Sequence, residues 1–570
     1  MEILSSSFLP RFPQSNLKIP RTLNITCITS FTTFHPIITC THGPTQRSIK
    51  NKKRSLLPTI FHSLDRLIST YLDSPIHPSV DPKHVLVGNF APVDELPPTA
   101  CQVVAGTLPT CLDGGAYIRN GPNPQFIPCG PYHLFDGDGM LHAIKISKGK
   151  ATFCSRYVKT YKYAVERKKG YPFFHSVFSS FSNGLMASTA RCVLLVARIL
   201  CGHYDPMVRG FGQANTSLAL FDGKLFALWE ADLPYAIKLT SDGDIITLGR
   251  HTLGNNNLVN MTAHPKVDPH TGEVFAFSYT IWPTLMTYFR ISSDGHERKD
   301  VPIFSMKHAS FVHDFAVTEH YAIFPDIQVV IDVMEIMRGR SPLKFDRSKT
   351  SRLGVIPRYA SDGSEMCWID VPELNLLHVV NAWEEDDGDT IVIVASNMFP
   401  VEHPLERLGS IHSSLENIAV DAKAMKVVTR YPVSTKRLDF GVIHPHYTGK
   451  KNRYVYAAII TDSALKAAGV VKLDLSLPRA DREVANKIYG SGCYGGEPYF
   501  VPREPDNPDA DEDDGYLITY MHDENTEKSK FIVMDARTPN LDIVADVILP
   551  GRVPYGFHGL FVKENDLNRL

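Results

Sequence analysis

From about residue 85 onward the chain is a long succession of short, strand-like apolar runs separated by turn dipeptides. SLALFDGKLFALWE, DGDIITLGR, GEVFAFSYT, HYAIFPD, DTIVIVAS, NRYVYAAII, DGYLITYMHD and SKFIVMDA are examples. Asp222-Gly223, Asp242-Gly243, Gly388-Asp389 and Asp514-Gly515 stand between or beside such runs and favour tight hairpins. Strands outnumber helices heavily, with neither βαβ alternation nor a phosphate-cradling GxGxxG. The pattern predicts an all-β fold, a β-propeller of about six to eight four-stranded blades. A tandem of β-sandwiches is the competing architecture.

Three stretches depart from this rhythm. Residues 56–72 place Ile60, Phe61, Leu64, Leu67, Ile68, Tyr71 and Leu72 at intervals of three and four, which predicts an amphipathic helix. Such a helix either packs on the body or lies in a membrane surface. Residues 174–201 read as a helical insertion, which in a propeller must cap one face; its apolar excess can roof a cavity or dip into lipid. The acidic run DNPDADEDDG at 506–515 reads as a solvated loop.

Composition narrows the class. Of 570 residues 43% are hydrophobic and 21% charged, with a formal net charge of −2. That is globular, and it lacks the basic surplus of a nucleic-acid binder. Ten cysteines without a CxxC pair read as thiols in a reducing compartment. The first 55 residues hold one acidic residue, Glu2, are rich in Ser and Thr, and end in SIKNKKRS. This is the composition of an organelle transit peptide. No run reaches the length of a transmembrane helix; CVLLVARIL at 192–200 is half that and contains Arg198.

The candidate chemistry lies in four histidines: His264, His313, His378 and His558, separated by 49, 65 and 180 residues. Ligands of a local metal finger lie a few residues apart; this spacing suits instead a fold that returns repeatedly to one axis. Val312-His313 and Leu377-His378-Val379-Val380 bury imidazoles in apolar runs, where each needs a partner. Gly556-Phe557-His558-Gly559 allows close backbone approach. Metal-bound histidine usually passes its other N–H to an outer partner. Glu230, Asp439 and Glu497 are carboxylates in apolar, strand-like settings and are the candidates; a satisfied turn or edge contact is the competing explanation of each, and chemistry alone favours it. Neutral imidazoles suit iron, copper or zinc, and the residues do not choose among them.

GGAYIRNGPNPQF (114–126), HLFDGDGMLHAIKI (133–146), ANTSLALFDGKLFALWEADLPY (214–235), TAHPKVDP, FVHDFAVTEHY, HVVNAWEEDD, GSGCYGGEPYFVPR and VPYGFHGLFVKE together resemble the plant carotenoid cleavage dioxygenases of the carotenoid oxygenase family. The likeness covers essentially everything after about residue 85, and the ending most resembles the class-four plastid enzymes. The resemblance implies a seven-bladed propeller with a helical cap over its top face. It implies one Fe(II) per subunit on the axis, held by His264, His313, His378 and His558, with Glu230, Asp439 and Glu497 behind them. Asp439 stands where many relatives carry Glu. YAAIITDSALKAAGVVKLD (456–474) and VIHPHYTG (442–449) depart from the usual wording, and His444 and His446 match no family ligand.

On this reading residues 1–55 are a plastid transit peptide, 56–84 an amphipathic helix and linker, and 85–570 the oxygenase propeller. The implied partners are a carotenoid, O₂ and a peripheral membrane or plastoglobule surface of a chloroplast or chromoplast, with no nucleic acid and no obligate protein partner. The implied reaction adds oxygen across one polyene double bond to give two carbonyl products, at 9,10 (9′,10′), with 7,8 (7′,8′) as the alternative. No catalytic side chain beyond the metal centre is required. A carotenoid-binding propeller that does not cleave, a zinc hydrolase and an isomerase are the competing readings.

Overall fold

The C-terminal strand Gly559–Val562 pairs antiparallel with Ala116–Arg119, so the end of the chain completes the sheet begun near its start. The computed structural model describes residues 57–569 apart from 129, 177, 180–183, 255–257, 281–284, 386–387, 403–409, 462–465, 506 and 568. The leader expected over 1–55 lies outside the described residues. Among these residues the fold is mostly sheet with few helices.

The first sheet has five strands, including Met140–Ser147 and Lys150–Tyr157. Four-stranded sheets follow in chain order, beginning at Ser217–Phe221, Lys266–Val267, Ala316–Val317 and Leu376–Glu384. A ten-stranded sheet begins at Leu438–Val442 and takes in the early strand Gln102–Gly106. Cys493–Gly495 is its hinge, pairing with both Ala467–Asp474 and Gly515–Asp523.

Each sheet is sealed to the next by apolar side chains from both. Leu225 and Ile237 meet Ala143 and Val562; Phe226 and Ala236 meet Ala276 and Phe289. Tyr288 and Ile303 meet Phe324 and Ile356, and Leu353 and Ile369 meet Ile393 and Ile418. Val394 and Leu415 meet Val455 and Val471, and within the ten-stranded sheet Tyr456 and Val470 of one half meet Leu517 and Ile532 of the other. Tyr520 and Phe531 then return to Tyr117 and Phe153 of the first sheet. The cores thus lie between sheets, in a series that closes on itself.

The turn dipeptides divide. Asp222 and Gly223, at φ 50° and 59°, form the two-residue link between Ser217–Phe221 and Lys224–Leu228. Positive φ at both central residues is the type I′ geometry, whose twist matches that of the flanking strands. Asp514-Gly515 is no hairpin: Gly515 opens a strand and pairs with Pro502, where a Cβ would lie 2.5 Å from the Phe500 ring. The neighbouring acidic residues are not merely solvated. Asp513 pairs with buried Lys472 at 2.5 Å, Asp514 with Arg503 at 2.7 Å, and Glu512 accepts the backbone N–H groups of Arg453 and Tyr454.

The helix expected over 56–72 is α1, Leu57–Tyr71. It buries Phe61 and Ile68 against Ala187 and Leu194 and exposes Ile60, Leu64, Leu67 and Tyr71. Its partner is α2, Leu185–Leu200. The helical insertion is therefore shorter than 174–201, because Gly184 at φ 99° supplies the N-cap and Phe174 and Phe178 precede the helix. Ion pairs join the two helices: Asp73 accepts from Arg191 at 2.6 and 2.7 Å, and Asp65 pairs with the buried Arg198. Among the described residues no helix is long and apolar enough to cross a membrane.

Candidate metal centre and cavity

The sheet topology accounts for the wide spacing of the four histidines. His264 lies two residues before Lys266–Val267, His313 three before Ala316–Val317, His378 within Leu376–Glu384, and His558 immediately before Gly559–Val562. Each of these strands is the edge strand of its own sheet. The long interval between His378 and His558 is occupied by the ten-stranded sheet, which contributes Asp439 from its edge strand Leu438–Val442 and Glu497 just before Tyr499–Pro502. Glu230 follows Lys224–Leu228.

The four side chains converge. One ligand nitrogen from each lies within 4.8 Å of those of the others. Ring centroids are 4.5 Å apart for His264 and His313, 4.6 Å for His264 and His558, 5.2 Å for His313 and His378, and 5.0 Å for His378 and His558. His378 is aimed inward by an irregularity: pairing with Thr390–Phe399 shifts between Leu376 and Val379 and again before Asn381. Such a bulge re-aims a side chain that a regular strand would direct elsewhere.

All three expected carboxylates stand behind the rings. His378 Nδ1 donates to Asp439 Oδ1 at 2.8 Å and His558 Nδ1 to Glu497 Oε1 at 2.9 Å, while His313 Nδ1 lies 2.6 Å from Glu230 Oε1. Asp439 also accepts the Phe440 N–H, and Glu497 the Gly559 N–H. A carboxylate on Nδ1 fixes that nitrogen as the protonated one and leaves the lone pair on Nε2. Burial raises the carboxyl pKa values of Glu230 and Asp439, but the facing histidines outweigh it and hold both below the ordinary range. Burial, and then the other three imidazoles, drive His264 well below its ordinary value. His378 is lowered, by burial first. At His558 burial acts downward too, but Glu497 reverses it and the net shift is upward.

These residues fit a divalent transition metal. His264 Nε2 and His313 Nε2 are 3.0 Å apart. At metal–imidazole distances of about 2.0–2.1 Å, that separation subtends about 90°, less than the roughly 109° of a tetrahedral site, so further coordination positions fit beside the four rings.

A cavity of about 640 Å³ adjoins the centre. Glu230 and Phe311 are among its lining residues, and Phe311 stacks on His313 at 6.0 Å. Phe174, Phe178, Trp229 and Tyr279 line it too, with Leu195 and Ile199 of α2. The volume is in the range of small-molecule sites, and the lining is dominated by aromatic and aliphatic groups.

Other residues stay apart from the centre. His444 N-caps the short helix Pro445–Tyr447 and packs on Phe500, with burial lowering its pKa to about 4. Three residues that the sequence reading passed over do touch the site. Thr216 Oγ1 lies 3.5 Å from Glu230, and its carbonyl accepts the His558 N–H. Phe440, at φ 51°, packs on His378 and His558. Asp314, next to His313, is buried among the ligand loops.

Comparison with known proteins gives the class. The family model for RPE65, retinal pigment epithelial membrane protein, matches residues 90–563. The chain is 57% identical to a probable carotenoid cleavage dioxygenase 4, chloroplastic, of Arabidopsis thaliana, over 90% of this chain and 87% of the relative. It is 51% identical to a zeaxanthin 7,8(7′,8′)-cleavage dioxygenase, chromoplastic, of Crocus sativus, over 64% of this chain and 98% of that one. It is 41% identical to a carotenoid 9,10(9′,10′)-cleavage dioxygenase of the same plant, over 86% and 91%. The solved Synechocystis apocarotenoid oxygenase superposes with a TM-score of 0.69 at 25% identity, covering 85% of this chain and 99% of that one. The chain belongs to the carotenoid oxygenase family, among the carotenoid cleavage dioxygenases.

Proposed function

We propose that this chain is a non-haem iron(II) dioxygenase of the plastid that cuts a carotenoid at the 9,10 (9′,10′) double bond. The observation that carries the reading is the convergence of His264, His313, His378 and His558 beside an apolar cavity, whose lining residues Glu230 and Phe311 both contact His313. Those four residues would hold one Fe²⁺, and Glu230, Asp439 and Glu497 would fix three of the rings. Ferrous iron supplies the redox chemistry that lets dioxygen react with a polyene. One C=C and one O₂ become two C=O groups, so no proton donor, nucleophile or outside reductant is needed. The side chains accordingly position rather than transfer protons. Phe174, Phe178, Trp229 and Phe311 would grip the rigid polyene, and its depth in the cavity would select the bond.

The closed series of cores supports a seven-bladed propeller, with the ten-stranded sheet counted as two blades joined through Cys493–Gly495. The α2 insertion caps the face that carries the cavity. The exposed apolar residues of α1 and α2 support docking on a membrane or plastoglobule surface, from which an insoluble substrate enters. The composition of residues 1–55 and the chloroplastic relative support plastid import.

A second reading, cleavage at 7,8 (7′,8′), is favoured by the greater identity to the 7,8-cleaving relative than to the 9,10-cleaving one. Purified protein stripped of metal and given Fe²⁺, several carotenoids and O₂ decides between them by the masses of the products. A C13 ketone supports 9,10 cleavage, and the product pair from the next double bond toward the end of the molecule supports 7,8. Absence of any cleavage, or restoration by Zn²⁺ in place of Fe²⁺, overturns the dioxygenase.

A further inference from the structure

Three of the four histidines have a carboxylate on Nδ1; His264, among the described residues, has none. The nearest equivalent is Asp314, buried at 2% exposure immediately after His313. Its Oδ1 meets Lys266 Nζ at 2.7 Å and accepts the Phe315 N–H at 2.7 Å. Its Oδ2 accepts the Val379 N–H at 2.7 Å. Lys266 is two residues beyond His264, Phe315 two beyond His313, and Val379 one beyond His378. One carboxylate therefore ties together the backbone or side chains next to three of the four rings.

Its contact at Val379 is at the bulge that aims His378, where strand pairing with Ala395 is out of register on both sides. A displaced strand leaves its N–H without a regular ladder partner, and the Asp314 carboxylate takes that place. At the other end the ammonium of Lys266, only 19% exposed, would repel a dication nearby if its charge were not neutralised. The ion pair with Asp314 does both tasks at once: it fixes the loop that presents His264 and cancels the positive charge beside it.

We infer that Asp314 is a positioning residue, the fourth carboxylate of the centre, which presets His264, His313 and His378 for the metal through Lys266, its own loop and Val379. It touches neither metal nor substrate. This rests on the metal-centre reading, which cobalt(II) binding by the unaltered protein checks separately.

The test uses the full-length protein titrated with Co²⁺, read by its visible d–d spectrum, beside Asp314→Asn, Lys266→Met and the double variant. Asp314→Asn keeps the volume and an acceptor for Val379 but loses the ion pair. Each single variant is expected to weaken Co²⁺ binding about 10–100-fold, as loss of an outer partner of a metal site does, and to alter the spectrum. The double variant is expected to be no worse than the weaker single one, because the residues act as a unit. Unchanged affinity and spectrum in folded Asp314→Asn overturns the inference, as do losses that multiply in the double variant. If Asp314→Asn does not fold, Lys266→Met decides alone, since Asp314 keeps both backbone donors there; wild-type Co²⁺ affinity in it overturns the proposal. Failure of the unaltered protein to bind Co²⁺ overturns the metal-centre reading instead.

Discussion

Asp439 reaches His378 Nδ1 at 2.8 Å although its side chain is one carbon shorter than the glutamate expected at that place. Strand pairing is irregular after Asp439, Phe440 adopts φ 51°, and the Asp439 carboxylate also accepts the Phe440 N–H. Asp439→Asn removes the proton acceptor that fixes the tautomer of His378 while keeping the volume. Metal affinity is expected to fall about 10–100-fold with little change in circular dichroism, and a metal titration checks it. An unchanged affinity removes Asp439 from the centre.

His313 stands between His264 and Glu230, so its removal acts in two directions. His313→Ala deletes one of the four proposed metal donors and leaves the Glu230 carboxylate buried without its nearest partner. Metal binding and cleavage are expected to disappear together, and the metal-free variant is expected to melt below the parent protein. Calorimetry of the stripped proteins, beside metal analysis, checks both. Cleavage at the parent rate without bound metal contradicts the assignment.

His313 and His378 stood out in the sequence because each is a polar group inside an apolar run, where burial demands a partner, as did the candidate carboxylates Glu230, Asp439 and Glu497; His264 and His558 lack that setting, and the full set rested on the family resemblance. Asp314 carries the same signal within FVHDFAV, yet its partners Lys266 and Val379 are 48 and 65 residues away and come near only through sheet packing. The Asp222-Gly223 hairpin was legible because its turn is local. Asp514-Gly515 was misread because Gly515 serves a packing contact with Phe500, which no neighbour in sequence reveals. The helical insertion is shorter than its sequence pattern suggests for a similar reason. Phenylalanines at 174 and 178 satisfy a helical pattern, but they line the cavity and precede a helix that begins only at Leu185.

Docking of α1 depends on pH through two groups. Asp65 meets His175 Nε2 at 3.2 Å and pairs with Arg198. Burial raises the Asp65 pKa, but His175 and Arg198 outweigh it and the net shift is downward. Such a carboxyl stabilises the folded state above its unfolded value of about 3.9 and loses that contribution as pH falls through the folded pKa. His175 is lowered, by burial first. The unfolded state therefore takes up its proton first, and stability declines as pH falls below about 6.5. Protease cleavage within α1 is expected to begin rising below about pH 6.5 and to steepen below about pH 4. Asp65→Asn strands Arg198 without this counter-charge and should loosen α1 at neutral pH, by up to about 3–5 kcal/mol. A cleavage rate independent of both pH and the substitution refutes this coupling.

The outward faces of α1 and α2 supply the last expectation. Leu67 is 51% and Leu200 81% exposed, beside Tyr71, Val193 and Val196. Full burial of a leucine contributes about 1.5–3 kcal/mol, so these two together offer about 3 kcal/mol to a lipid surface. Leu67→Ser with Leu200→Ser is expected to weaken liposome binding about 100-fold, at roughly 1.4 kcal/mol per factor of ten. Neither residue lines the cavity, so cleavage of detergent-dispersed carotenoid is expected to be unchanged. Flotation of both proteins with vesicles checks the first expectation and product formation in detergent the second. Equal flotation would leave α1 as a helix that only packs on α2 through Phe61 and Ile68.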